Sequence, residues 1–416
     1  MPYRILSLDG GGCWALIQAM ALDAIYPDMT GHEVLSRFDL AIANSGGSIV
    51  LAALVKNLTP KQIGALFLSA DNRSKIFARK DVVIYEASKV LGLGPRYIAA
   101  EKLDGLTQVM DAAPQRPVAG LKMSEVAAYI AGDGGTAPQV IIAAFDYDWR
   151  REIFFRAKPS KIATPGANFD PALAGAVHAS TNAPVNYFDA PAEITVQPGV
   201  KRRFWDGAIG GFNNPVLQGV IEALGNDVRA EDIVALSLGT GTVWLPEGEP
   251  RNGESGALFD PPGKSDLVHD IGEISDSILD DPPDTASFQA HLATGAPRSA
   301  PRVVRLSPII RPELKGATWS LPTGFRAMHR PNQPGTAMPA LDAFTYLSNL
   351  GMDATADDDM DMLRQLAEQW LAGAIPNQPI QKDLVTAAPV IGFDTFREGL
   401  SAWRRFDPLP PSTAEV

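Results

Sequence analysis

Cysteine is almost absent: Cys13 is the single one in 416 residues. No intramolecular disulfide and no cysteine-built zinc site can form, and the chain does not need an oxidising compartment. Long apolar runs are also missing; nothing approaches the roughly 18 residues of a membrane-spanning helix. Positive charge is scarce, with 36 Lys and Arg against 48 Asp and Glu and a net charge of −12. That excludes the basic balance of a nucleic-acid binder and any whole-molecule attraction to anionic lipid. Histidine is rare, and none of His32, His178, His269, His291 and His329 sits in a tight glycine-flanked turn. The N-terminal stretch Met1–Leu8 is too short and ends in Asp9, so it does not read as a secretory leader. A cytoplasmic location is the expectation. The acids between Asp266 and Asp284 lack the Gly and terminal Glu of an EF-hand loop and read as a solvated face.

Glycine is what the chain has, in short motifs placed at the ends of apolar segments. Tyr3–Leu8 reads as a buried strand, with Asp9-Gly10-Gly11-Gly12 after it and a helix over Trp14–Tyr26. Phe38–Ala43 reads as a second strand and Ser48–Val55 as the start of a second helix, with Asn44-Ser45-Gly46-Gly47 between them. Further strands are expected at Gln139–Phe145, Glu152–Arg156, Arg202–Trp205, Ile233–Leu238 and Arg302–Leu306, and a helix end at Val177–Pro184. The alternation implies an α/β fold of three layers, α/β/α, around a mostly parallel sheet. Leu245–Lys264 and Pro322–Pro339, rich in Pro and Gly, read as loops or lids rather than core. Asp357–Leu371 reads as a helix capped by Thr355 or Asp357, with Leu363, Leu366 and Trp370 on one face. These patterns divide the chain into a main domain over 1–340 and a helical C-terminal extension over 341–416 packed on it.

Three motifs carry chemistry. Ser45, between a strand and a helix and flanked by small residues, has the context of a nucleophile elbow, with Ala43 where the first Gly of Gly-x-Ser-x-Gly would stand. Asp206 ends a short strand and precedes Gly207-Ala208, a place where a carboxylate can serve as a general base; an Asp-Gly turn is the plainer alternative. The amides of Gly10, Gly11 and Gly12 open a helix and can converge on an anion, either a phosphate or the oxyanion of a tetrahedral intermediate. Neither a dinucleotide fingerprint nor a P-loop is present, since Ala15 stands where the last fingerprint Gly would fall and no Gly-Lys-Ser/Thr follows.

Taken together, in order and spacing from Asp9 through Ser45 to Asp206, the motifs resemble those of the patatin-like phospholipases. Ala179–Pro184 and Ser237–Gly241 resemble further segments of that family, so the likeness covers roughly 3–242 and, more loosely, the helix around 353–371. The resemblance implies a lipid acyl hydrolase of phospholipase A or lysophospholipase type. Its dyad would be Ser45 and Asp206, its oxyanion hole the backbone of Gly10, Gly11 and Gly12, with Asp9, Gly47 and Gly207 as motif support and no metal or cofactor. The substrate implied is a phospholipid or another acyl ester. Two departures stand out: Ala43, and Trp14-Ala15 where the family has a basic residue and Gly. Two other functions compete: an α/β-hydrolase using Ser45, Asp206 and a later histidine, and a lipid-binding member whose acyl pocket Trp14 fills. Arg73–Lys102 holds seven basic residues against three acids and suggests transient docking on a membrane surface; a solvated charged helix pair is the alternative.

Overall fold

The computed structural model describes residues 2–77, 96–132, 135–163, 169–184, 187–248, 255–259, 284–316, 318–382 and 389–409. Its main sheet has eight strands: β1 (Tyr3–Leu8), β2 (Leu40–Ala43), β3 (Gln139–Asp146), β4 (Arg151–Arg156), β5 (Ala192–Gln197), β6 (Val200–Asp206), β7 (Ile233–Leu238) and β8 (Val303–Leu306). They lie in the order β5-β6-β3-β2-β1-β7-β8, with β4 on the remaining side of β3. The central run β3-β2-β1-β7-β8 is parallel; β4 and β6 pair with β3 antiparallel, and β5 pairs with β6 antiparallel.

The period-two alternation of the strands sorts their side chains onto two faces. Leu6, Leu8, Ala41, Ala43, Leu236 and Leu238 enter one apolar cluster, whereas Ile5, Leu40, Ile42, Ile233 and Ala235 enter another. Apolar residues at consecutive positions are therefore required, and sheets covered on both faces show them. The first face is covered by α1 (Leu16–Ile25), α3 (Ser45–Val55) and α8 (Leu173–Ser180), and the second by α9 (Val216–Gly225). Other described helices are α2 (Gly31–Leu35), α4 (Pro60–Leu68), α5 (Ala70–Ile76), α6 (Ala99–Asp111), α7 (Met123–Ala131), α10 (Ala340–Ser348), α11 (Asp357–Leu371) and α12 (Phe396–Arg404). The three-layer α/β/α fold expected from the alternation is the one observed.

Residues beyond 340 join the first cluster through Phe344, Leu363, Leu366, Trp370 and Trp403. Burying each such side chain contributes about 1.5–3 kcal/mol. Trp403 stacks on Phe38 with ring centroids 5.8 Å apart and donates to the Tyr26 hydroxyl at 2.9 Å. Asp407, fully buried, accepts from Arg4 at 2.7 Å, from the Tyr26 hydroxyl at 2.8 Å and from Arg37. α12 opens with a capping box in which Thr395 and Glu398 satisfy each other's backbone amides.

Three local expectations are corrected. The helix after β2 begins at Ser45 rather than Ser48, because Ser45 itself makes the turn. Ala356 is the N-cap of α11 and makes no side-chain cap, so neither Thr355 nor Asp357 caps it; the acids Asp357, Asp358 and Asp359 favour this terminus through the helix dipole instead. Pro322–Pro339 is not wholly outside the core, since Phe325 and Met328 are buried in it.

Candidate active site

Strand register brings the motifs together. Leu8 pairs with Ala43 on one side and with Leu238 on the other, so the segments following β1, β2 and β7 leave the same sheet edge side by side. β2 accompanies β3 only as far as Ile142; from Ala144 onward β6 takes its place on that side, because both lie opposite β4. Asp206 pairs with Ala144, two residues past the partner of Ala43. The end of β6 is thereby delivered onto the β2–α3 turn that carries Ser45.

Ser45 has φ 45°, a left-handed conformation that is strained for a side chain of its kind. The turn is crowded from below. A Cβ on Gly46 would lie 2.5 Å from the Gly12 carbonyl oxygen, and one on Gly47 2.6 Å from that of Asp9. Ala43 needs no such allowance, since its Cβ packs into the core from within the strand. The Ser45 amide donates to Ser180 Oγ at 2.9 Å, at the end of α8.

Asp206 is 3% exposed. Its amide donates to the Asn182 carbonyl at 3.0 Å. Its carboxylate accepts from Asn44 Nδ2 and from the Ala208 amide, each at 2.9 Å. Burial pushes its pKa up, while Ser45, Ala208, Asn44 and the Lys102 ammonium oppose the shift. Gly207 has to be glycine, because a Cβ there would lie 2.5 Å from Asn44 Oδ1.

The glycine loop abuts the turn: a Cβ on Gly10 would be 3.0 Å from Ser45 Cβ. Its three amides are not equivalent. Gly10 N–H donates to the Asn213 carbonyl at 2.8 Å and is therefore occupied. The amides of Gly11 and Gly12 have no acceptor among the described residues. Both residues have positive φ, 144° and 55°, and a Cβ on either would strike Thr240 Oγ1 at 2.2 Å or the Met352 carbonyl oxygen at 2.4 Å. Asp9 points away from Ser45 into a buried ion pair with Arg305 at 2.6 Å, both side chains 3% exposed. Burial raises Asp9 to about 7 despite the arginine. Trp14 stands in the wall with Nε1 donating to the Gly351 carbonyl at 3.0 Å.

Two hollows flank the loop. A narrow apolar cavity at Ser45 is lined by Ile49, Ile76, Phe77 and Phe188, with Lys102 in its wall. Ile49 and Ile76 also line a second apolar hollow that runs past Ala53, Leu106 and Val177 to Lys56. On the other side of Gly10 and Gly11 lies a polar groove of about 290 Å³, lined by Trp14, Asn213, Thr240 and Asn349 among others.

Several residues escaped the sequence reasoning. Asn44 was legible only as a neighbour of the serine, and Arg305 only as a lone cation in an apolar strand. Lys102 and Asn182 had no signal of their own. The basic face expected over Arg73–Lys102 is not borne by its described part. Arg73 and Lys102 are 3% and 1% exposed, and Arg73, Lys75 and Arg96 pair with Asp357, Asp71 and Asp353. Arg79, Lys80 and Lys89 lie outside the described residues, as does His269. His291 is buried and His329 bonds to the Arg330 carbonyl, and neither is among the partners of Asp206.

The patatin-like phospholipase family model matches residues 6–220. No curated protein matches the chain. Among solved structures it is similar to VipD from Legionella pneumophila, at 10% identity and TM-score 0.35, covering 88% of this chain and 67% of that one. It is also similar to human group IVD cytosolic phospholipase A2 in complex with methyl γ-linolenyl fluorophosphonate, at 12% identity and TM-score 0.41, covering 88% of this chain and 57% of that one. The family match runs from within β1 to the middle of α9, and takes in all three motifs: the chain belongs to the patatin-like phospholipase family.

Proposed function

We propose that the protein is a lipid acyl hydrolase of phospholipase A or lysophospholipase type, acting through Ser45 and Asp206. The observation that carries this reading is the Asp206 carboxylate, buried at the sheet edge and held in its charged form in part by the hydroxyl of a serine in a strained turn. In the proposed cycle Asp206 takes the Ser45 proton as Ser45 Oγ attacks the ester carbonyl. The amides of Gly11 and Gly12 hold the oxyanion; each such donor elsewhere is worth about 3 kcal/mol in barrier. Collapse of the intermediate expels the alcohol, with the proton returned by Asp206, and leaves Ser45 acylated. Water, deprotonated by Asp206, then releases the fatty acid. Asn44 and the Ala208 amide keep the carboxylate aimed at the serine. The apolar hollows lined by Ile49 and Ile76 suit an acyl chain, and the polar groove beyond Gly10 and Gly11 suits the leaving alcohol. The dyad needs neither metal nor cofactor.

Fatty-acid release from mixed phospholipid vesicles tests this. Wild type should release fatty acid and Ser45→Ala should not. Equal release by both would refute the assignment of the nucleophile.

A further inference from the structure

Lys102 has no role in the cycle above, yet among the described residues it is a cation whose charge acts on Asp206. It lies on α6, is 1% exposed and lines the cavity at Ser45. Its Nζ donates to the Thr181 carbonyl at 2.5 Å and stands 3.9 Å from the centroid of the Phe188 ring. A carbonyl and a ring face both favour an ammonium over an amine. Neither supplies a countercharge, and an ammonium taken out of water without one is costly. Among the described residues no carboxylate forms an ion pair with it; Asp206 acts on it from beyond ion-pair contact, each charge favouring the other. Thr181 and Asn182 are consecutive, so the carbonyl that holds Lys102 adjoins the carbonyl that holds the Asp206 amide.

We propose that Lys102 is a positioning residue for acyl transfer: its buried ammonium keeps Asp206 in the carboxylate form and pins the 181–182 segment against which Asp206 is seated. The proposal rests on the Ser45–Asp206 reading for its catalytic consequence. Among the described residues facing it, no other group stands in for Lys102. His178 on α8 faces it, but burial and the lysine hold that imidazole down to about 3, so it stays neutral. Glu101 and Asp104 on α6 itself are exposed. Asp353 lines the same cavity but is paired with Arg96 and the Tyr97 hydroxyl. On the neighbouring α5, Arg73 and Lys75 are paired with Asp357 and Asp71. Burial lowers the Lys102 pKa, so its charge is lost at a lower pH than that of an exposed lysine. Hydrolysis should have an acidic limb set by Asp206, whose midpoint the charged Lys102 holds down.

The test titrates Asp206 directly, by carbonyl NMR of protein carrying ¹³C-labelled aspartate, with the resonance assigned by its loss in Asp206→Asn. In Lys102→Met the Asp206 midpoint should rise by about one pH unit, which lowers hydrolysis below that midpoint roughly ten-fold. Lys102→Gln replaces it should the methionine variant not fold. Lys102→Arg should leave the midpoint in place. In the pH profile of hydrolysis, the methionine variant should show an acidic limb moved up by about one pH unit, and the arginine variant should keep the wild-type limb. An unmoved Asp206 midpoint in Lys102→Met overturns the proposal, even if activity falls at every pH. Should the wild type hydrolyse no ester, the proposed function fails, and the NMR midpoint still decides whether Lys102 sets the state of Asp206.

Discussion

Replacing Arg305 by methionine should destabilise the protein by an amount that depends on pH. Arg305 reaches Asp9 at 2.6 Å from the far side of the sheet, with both side chains 3% exposed. It also donates to Ser237 Oγ at 3.0 Å. Removing one partner of such a pair leaves an uncompensated buried charge and costs about 3–5 kcal/mol. At about 2.1 cal/mol/K per residue, unfolding 416 residues carries an entropy near 0.9 kcal/mol/K, so the melting temperature should fall by about 3–6 °C. The sign of the pH dependence follows from Asp9, which burial pushes up to about 7 from the 3.8 of an exposed aspartate. A carboxyl that binds its proton more tightly when folded stabilises the fold at acid pH, and that share is lost as pH rises through about 7. Arg305 opposes the shift, so without it the loss becomes larger. The gap between wild type and Arg305→Met should thus be wider at pH 8 than at pH 5.5. Adding Asp9→Asn should recover part of the loss at pH 8. Calorimetric melting of wild type, Arg305→Met and the double variant at both pH values measures this. Melting within 1 °C of wild type for Arg305→Met at pH 8, or a double variant less stable than the single one, would refute the reasoning.

Three further outcomes follow from the same structure. Asp407→Asn should cost about 3 kcal/mol, the low end for a broken buried pair, because Arg4 and Arg37 keep 24% and 26% exposure; urea unfolding midpoints check it. Ile49→Trp should block the passage between the apolar hollows, raising KM for long-chain esters by roughly ten-fold, about 1.4 kcal/mol, while leaving short-chain esters little changed; a chain-length series decides it. Gly11→Ala should lower esterase activity by at least about 100-fold, as the added Cβ meets Thr240 Oγ1 at 2.2 Å with φ at 144° and displaces a proposed oxyanion donor; a variant with wild-type kcat would remove Gly11 from the site.

The core of the parallel sheet was legible because its strands are short apolar runs stopped by glycine, and the same punctuation marked the candidate site. β5 was missed: Ala192, Ile194 and Val196 are buried between exposed or half-exposed neighbours, and a six-residue alternation beside proline is a faint signal. The site's supports were hidden for a different reason. Arg305, Lys102 and Asn182 meet the motifs only through tertiary contacts, and nothing local marks a cation that will be buried. The expected docking patch loses two of its cations on the same ground, since composition counts Arg73 and Lys102 as basic but not as buried. The glycine loop was read as three equal donors; only the fold reveals that the Asn213 carbonyl already takes Gly10.

The central claim is that Ser45 is a nucleophile driven by Asp206. Mass spectrometry of the intact chain after exposure to an alkyl fluorophosphonate tests it most directly. The account predicts one adduct, mapped to Ser45, absent in Ser45→Ala and formed at least about 100-fold more slowly in Asp206→Asn. No adduct on the folded wild type, or labelling of Asp206→Asn at the wild-type rate, would contradict it.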